Sequence, residues 1–505
     1  MESQLRIERV GKRGAICRVI LCGFVLAVVA SLVHGEPALG NLSVRGTDIV
    51  NAHGEVVPMR GINFGGWLMM ETWIPSIEME WHDRVPKIAE EAGIAEEMKA
   101  ALEATGEFMD DTMRIGEYIE RLNAALKERV TPAQYDAYAA LLTKEPPVNA
   151  ALDMDLLLRK RFGDYGAARI WNAHHDTWIG EEDFQLAKAL GFNFVRIPFW
   201  YRWFEHDNAP YSYSDYGFTY LDRAVRWAKN HGVYVLLDLH GAPGCQSPWD
   251  HTGELSRGEF FQDEEYQKRA AALWRVIAQR YKDEPAVWGY DLLNEPYSAK
   301  GADDWTRAHD QMYDAIREVD PDTIIVMEDG YKLEERPWVD DGFFPDPKAL
   351  GWSNVVYSIH FYSGADPEFT TDSGLADHAK RAELVVRIGS HEQDRCKVPL
   401  YFGEFSTMGN HPNDIEGMRI FLTAFNAKGW AWSPWTWKYV NDDGIGSIWG
   451  VYQFLDPWPH IPNMHRDSLD AILEVIARTK TVNFHLIEPY AAVIRECTAQ
   501  SVPAR

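Results

Sequence analysis

Val287-Trp288-Gly289-Tyr290-Asp291-Leu292-Leu293-Asn294-Glu295-Pro296 begins as a short apolar run and ends in residues that stop it. A run this short, closed by Asn and Pro, reads as a buried strand whose last residues open a loop. Similar runs recur at Met59–Asn63, Asn193–Ile197, Val233–Leu239, Thr323–Met327, Val355–His360, Pro399–Gly403 and Trp430–Pro434. Amphipathic stretches such as Tyr220–Asn230, Glu264–Tyr281 and Trp305–Val319 lie between several of them. Strand–helix alternation predicts a parallel sheet, and eight units is the number that closes a barrel. The rival architecture, an open doubly wound sheet, has no Gly-rich phosphate loop here to recommend it. The expected fold class is α/β, a (β/α)₈ TIM barrel.

Three segments stand outside that alternation. Leu42 to Met59 reads as an N-terminal β-hairpin, with alternating Leu42–Arg45 and Asp48–Val50 and a turn at Asn51–Gly54. From about Ile77 to Arg161 the chain turns acidic and helical, and Thr131-Pro132 is a good helix start. This is expected to be a helical insertion (77–161) after the first strand, within a catalytic domain spanning 36–505. On the first βα loop it would lie over the catalytic face, as a wall of the cleft or as a solvated appendage. Residues 1–35 read as a leader. Arg6, Arg9, Lys12, Arg13 and Arg18 precede an apolar run from Val19 to Val33, and His34-Gly35 is a small-residue cleavage point. That run is short for a membrane span, so export with cleavage is the expectation and an uncleaved anchor the alternative.

The net charge of -26 disfavours nucleic acid or an anionic membrane as partner, whereas a neutral glycan is indifferent to it. The 20 Trp, 22 Tyr and 22 Phe are mostly core, but clustered indoles also suit the C–H faces of sugar rings. Of five Cys, those at 17 and 22 lie in the leader, which leaves three. An odd number is no disulfide framework, though a Cys245–Cys396 bridge is conceivable.

Barrel chemistry is carried at the C-terminal ends of strands. Read to their ends, the runs present Arg196, then Asp238 and His240, then Asn294-Glu295-Pro296, then His360 and Tyr362, then Glu404 and Ser406, then Trp435 and Trp437. One Glu ending one strand means little. Two, on strands four and seven, amid Arg, His, Asn and Tyr, form a constellation suited to cleaving an acetal. That reaction needs a proton on the leaving oxygen and electron density at the anomeric carbon, so one carboxyl must be protonated while the other is ionised. His174-His175-Asp176 has the look of a metal cluster, but adjacent side chains point apart and no His-Glu-x-x-His helix exists. It reads as a structural pair; no metal and no cofactor are expected.

With these motifs in hand, the chain resembles glycoside hydrolase family 5, and within it the exo-β-1,3-glucanase-type members. The resemblance runs over roughly 42–76 and 162–460. Arg60–Trp67 is similar to the opening motif, and Glu71 stands where those enzymes carry a sugar-binding Glu. Asp238–Gly244 followed by Trp249-Asp250 is similar to a stretch with an aromatic and an Asp at the pocket. Leu293–Pro296 and Phe402–Glu404 match the acid/base and nucleophile signatures. The resemblance implies Glu295 as acid/base and Glu404 as nucleophile, Asn294 holding the sugar 2-hydroxyl, and Arg196 keeping Glu404 ionised. It further implies His240, His360 and Tyr362 as a polar shell and Trp437 as the floor under the sugar. Two departures stand out: His251 replaces an Asn, and Ser363-Gly364-Ala365 stands where an aromatic follows the His-x-Tyr motif. The expected activity is retaining hydrolysis of β-glucosidic bonds in β-1,3-glucan or related β-glucans. An endo-acting cellulase or mannanase, a transglycosylase, and a non-catalytic sugar-binding module are the alternatives. Retention would place the two carboxyls about 5–5.5 Å apart and inversion roughly 6.5–9.5 Å; Arg196 and tyrosine hydrogen bonding should lower one pKa, and the negative charge of that carboxylate should raise the other.

Overall fold

Branched and aromatic residues favour the extended, half-buried surface of a sheet, and all the predicted runs contain strands in the computed structural model. It describes residues 39–75, 81–106, 115–255, 257–330, 342–362, 372–407, 413–440, 449–454 and 462–501. The leader at 1–35 and Ser363-Gly364-Ala365 lie outside the described residues. A hairpin of β1 (Leu42–Arg45) and β2 (Asp48–Asn51) comes first, turning at Gly46 with φ 62°. The predicted turn at Asn51–Gly54 follows β2, closed by Gly54 N–H to Asn51 O at 2.8 Å.

Eight parallel strands then run in chain order around one sheet. They are β3 (Gly61–Asn63), β4 (Phe194–Trp200), β5 (Tyr234–Gly241), β6 (Val287–Asp291), β7 (Ile324–Glu328), β8 (Val355–Tyr362), β9 (Leu400–Ser406) and β10 (Ala431–Trp432). A parallel bridge between Arg60 and Trp432, with Trp432 N–H to Met59 O at 3.1 Å, joins last to first. The sheet is a (β/α)₈ barrel. Its lower interior is plugged by rings: Phe194 lies 5.3 Å from Trp288 and 5.9 Å from Tyr401. Gly61 is required beside that plug, since a Cβ there would sit 2.5 Å from the Phe194 ring. Much of the aromatic surplus is spent on such packing. Trp200 and Trp432 are fully buried core.

Between β3 and β4 the chain forms α1 (Trp81–Glu91), α2 (Ala95–Thr105), α3 (Ile115–Lys127), α4 (Pro132–Lys144), α5 (Ala151–Thr177) and α6 (Glu181–Ala189). The first four share an apolar core of their own, including Val85, Ile88, Ile94, Met98, Leu122 and Leu126. Thr131 caps α4 in a capping box with Gln134, with Pro132 in its first turn. Two residues past the expected insertion end at 161, Gly163 leaves helical geometry with φ 67°, so α5 is two helical segments joined at a kink. The far half of α5 braces the loop after β3. His174 Nε2 lies 2.7 Å from Gly66 O, and the indoles of Trp67 and Trp178 donate to His175 O and Gly65 O, each at 2.9 Å. The near end touches the loop after β5 through Leu152 N–H to Gly253 O at 2.9 Å. The four-helix part is tied down ionically, as Arg466 reaches Glu91 and Glu145, and Arg84 also pairs with Glu145.

The remaining barrel connections include α7 (Asp215–His231), α8 (Glu264–Tyr281), α9 (Ala302–Arg317), α10 (Asp372–Cys396) and α11 (Asp414–Lys428). Among the described residues no helix separates β7 from β8, and no helix is long and apolar enough to cross a membrane. Cys245, Cys396 and Cys497 are free thiols, so the conceivable Cys245–Cys396 bridge is not formed.

Candidate active site

Side chains two apart on a strand share a face, so Arg196 sits above Phe194 in the barrel mouth. It is fully buried. Its guanidinium donates to Asp291 Oδ2 at 2.8 Å, Glu328 Oε1 at 2.6 Å, Glu404 Oε1 at 2.6 Å and Asn294 Oδ1 at 2.9 Å, and lies 3.1 Å from Asp238 Oδ2. Burial alone would lower its pKa, but the four surrounding carboxylates hold it well above the ordinary value. Asp238, Asp291 and Glu328 bring oxygens within 4.8 Å of one another, a spacing suited to a metal ion. The cation among them is Arg196. Burial raises both Asp238 and Asp291 well above the usual carboxylate range.

Glu404, on β9, has a donor for each oxygen: Arg196 at Oε1 and the Tyr362 hydroxyl at Oε2, 2.7 Å away. Burial pushes its pKa up, yet the charges of His360 and Arg196 bring it below normal. Tyr362, raised by burial and by Glu404, stays protonated as a donor. Glu295 follows β6 in a left-handed conformation with φ 40°, unfavourable for a residue with a Cβ. Its own N–H, donating to Glu328 Oε2 at 2.9 Å, helps hold it there. Its Oε1 lies 3.0 Å from His360 Nδ1.

An oxygen of Glu295, an oxygen of Glu404 and a nitrogen of His360 all lie within 4.8 Å of one another. Burial raises Glu295, but the His360 hydrogen bond and nearby imidazole charges lower it to about 2. Burial likewise opposes charge on His360, yet Glu328, Glu404 and Glu295 raise it well above its ordinary value. The two shifts run in opposite directions across one hydrogen bond, Glu295 downward and His360 upward.

The remaining predicted residues divide. Asn294 commits its oxygen to Arg196, which leaves Nδ2 a buried donor with no protein acceptor. His240 shares a 2.7 Å hydrogen bond with Asp238, is kept neutral by burial, and lies 4.0 Å from Glu71 Oε1. Glu71 accepts from Trp73 at 3.0 Å; burial and the charges of Asp250, Glu404 and Glu295 raise it well above normal. Asp250 is thus part of the same electrostatic neighbourhood, and both it and Trp249 are half-buried on the loop after β5.

Trp437 is a correction. Its indole is completely buried, donates to Asp183 at 2.8 Å and packs on Phe64 and Tyr452. Trp435 instead stacks on His240 at 5.5 Å and 12° and is the indole beside the site. Asn63, Asp291, Glu328 and Gln246 escaped the sequence reading. Gln246 ties His240 O and Asn294 O together at 2.7 and 2.8 Å. Reading strand five one residue further would have exposed Glu328.

A model of the cellulase family (glycosyl hydrolase family 5) matches residues 164–441, more than half of the chain. The chain is similar to a beta-xylosidase of Phanerodontia chrysosporium, 30% identical over 288 residues that cover 54% of this chain and 58% of that protein. It is similar to a probable glucan 1,3-beta-glucosidase A of Aspergillus terreus, 34% identical over 236 residues, 46% of this chain and 53% of that one. To endoglucanase C of Acetivibrio thermocellus it is 31% identical over 198 residues, 38% and 52% of the two chains. The chain thus spans little more than half the length of these curated relatives. The barrel and the family match agree, and the chain belongs to the cellulase family, glycosyl hydrolase family 5.

Proposed function

We propose that this protein hydrolyses β-glucosidic bonds with retention, with Glu404 as nucleophile and Glu295, in proton contact with His360, as acid/base. The observation that carries this reading is the approach of Glu295 and Glu404 to within 4.8 Å, in surroundings that separate their roles. A separation so short leaves no room for the water that inversion requires between carboxylate and sugar. Glu404, ionised and oriented by Arg196 and Tyr362, attacks the anomeric carbon. The proton held between His360 and Glu295 passes to the leaving oxygen, which takes the electron pair of the broken bond. In the second step Glu295 removes a proton from water, the oxygen of that water bonds to the anomeric carbon, and Glu404 departs as carboxylate. The unpaired Asn294 Nδ2 suits the sugar 2-hydroxyl, and Glu71 with His240 suits hydroxyls further along the ring.

The proposed substrate is β-1,3-glucan or a related β-glucan, as the similarity to the probable glucan 1,3-beta-glucosidase A of Aspergillus terreus suggests. Endo-acting cleavage is the second reading, favoured by the similarity to an endoglucanase. The leader reading makes the protein secreted or extracytoplasmic, and the contact of Leu152 with Gly253 on the loop after β5 favours a cleft-supporting role for the insertion. Proton NMR of the first-formed sugar is expected to show the β-anomer; an α-anomer overturns the mechanism. Glu404→Gln should abolish turnover of laminari-oligosaccharides while the folded spectrum persists, and product sizing on laminari-, cello- and manno-oligosaccharides separates the two readings.

A further inference from the structure

Glu295 has two oxygens, and the proposed mechanism accounts for the neighbour of only one. Its Oε2 lies 3.5 Å from His251 Nδ1. We infer that His251 is a positioning residue for the acid/base, a second imidazole that sets the pH at which Glu295 and His360 give up their shared proton. This rests on the assignment of Glu295 proposed above.

The loop that carries His251 is built to hold it. His251 occupies a short 3₁₀ turn, Asp250–Thr252, after β5. Thr252 Oγ1 donates to Trp249 O at 2.8 Å, and Gly253 N–H to Asp250 O at 2.8 Å. Gly241 lets the turn approach β5, since a Cβ there would sit 2.4 Å from Thr252 O. The first turn of α5 fixes the far side through Leu152 and Gly253. The ring lies edge-on to His240 at 5.8 Å, and its Nε2 is buried with no protein partner. At 3.5 Å the contact with Glu295 is longer than a hydrogen bond, as befits a catalytic contact that tightens when substrate fills the site.

In its protonated form His251 adds positive charge beside the carboxyl, which favours release of the proton needed by the leaving group. The other titratable groups around this carboxyl are His360, Glu404, Glu328, Tyr297 and Tyr362 in and around the barrel mouth, His240 at the end of β5, and Glu71 with its neighbour Asp250 on the loops. All remain when His251 is replaced, so replacement isolates its effect. A unit charge at this distance shifts an acid by about 1 pH unit even with the screening of bulk water.

The test is the pH dependence of kcat/KM for His251→Asn and His251→Gln, with laminaritriose and with dinitrophenyl β-glucoside. The expected result is a basic limb about 1 pH unit higher on laminaritriose, with the acidic limb in place. The profile on the dinitrophenyl substrate, whose leaving group needs no proton, should not move. A basic limb at the wild-type position overturns the proposal, as does an equal loss on both substrates at every pH. Loss of the cooperative unfolding transition in both variants would make His251 a scaffold residue and overturn it too. Failure of the wild-type protein to cleave any glycoside would instead overturn the functional reading, and so the two failures are distinct.

Discussion

Two arginines, Arg196 in the barrel mouth and Arg466 on the tie to the helical insertion, each gather carboxylates at hydrogen-bond distance. Arg196 serves Asp291, Glu328 and Glu404 at 2.6–2.8 Å with no exposure at all. Arg466 meets Glu91 and Glu145 at 2.9 Å with its side chain 47% exposed. The distances are alike, but the surroundings are not. In the mouth the members are buried, so a lost partner leaves an uncompensated charge and the network fixes the orientation of its members whatever its net stabilisation. On the tie water reaches the half-exposed Arg466 and Glu91 ends of the contacts, though Glu145 itself is buried, and pairs open to water contribute about 0–1 kcal/mol. The same chemistry is thus a positioning frame in one region and a fastening in the other.

The largest expected contrast comes from removing Arg196. Arg196→Met leaves several buried carboxyls without their cation and should destabilise the fold by about 3–5 kcal/mol, read as a lower urea midpoint, with activity lost. Acid should separate the networks next, because their linkages have opposite sign. The folded pKa values of Asp238 and Asp291 are raised above the ordinary 3.8, so their contribution is present below that value and lost as pH rises through the folded values. Glu145 is the reverse. Burial would raise it, but Arg466 and Arg84 bring it below the ordinary 4.5, so its contribution is present above 4.5 and lost as pH falls through the folded value. Hydrogen exchange on acidification should therefore reach α1–α4 before β6; simultaneous opening would break the distinction. The smallest effect belongs to Arg466→Ala. It should lower stability by less than about 1 kcal/mol and leave kcat/KM unchanged, since Arg84 still pairs with Glu145.

The legibility of the two regions differs for related reasons. Barrel strands announce themselves because both faces are buried and the apolar runs are continuous. Glu295, Glu404, His360 and Tyr362 could be placed together because each ends or nearly ends such a run. Asp291 and Glu328 could not, because their positions have meaning only once Arg196 is known to point at them. Trp437 was the wrong indole because β10 holds only Ala431–Trp432, too short for alternation to say which later side chain turns inward. The opposite shifts of His360 and Glu295 arise because three carboxylates converge on that imidazole, an arrangement no spacing in the chain encodes. In the insertion, helices were legible by composition and the Thr131 cap by its residues. The expected end at 161 lies two residues before Gly163, whose left-handed φ separates the two segments of α5.

The three thiols carry a practical consequence. Burial drives Cys245 and Cys396 up to about 12 and also raises Cys497, so almost none of the reactive thiolate exists near neutrality. With no bridge among them to form or reshuffle, the barrel is indifferent to the redox state of its surroundings. Reductant and alkylating agents such as iodoacetamide should leave the native enzyme untouched, and refolding can proceed without an oxidant.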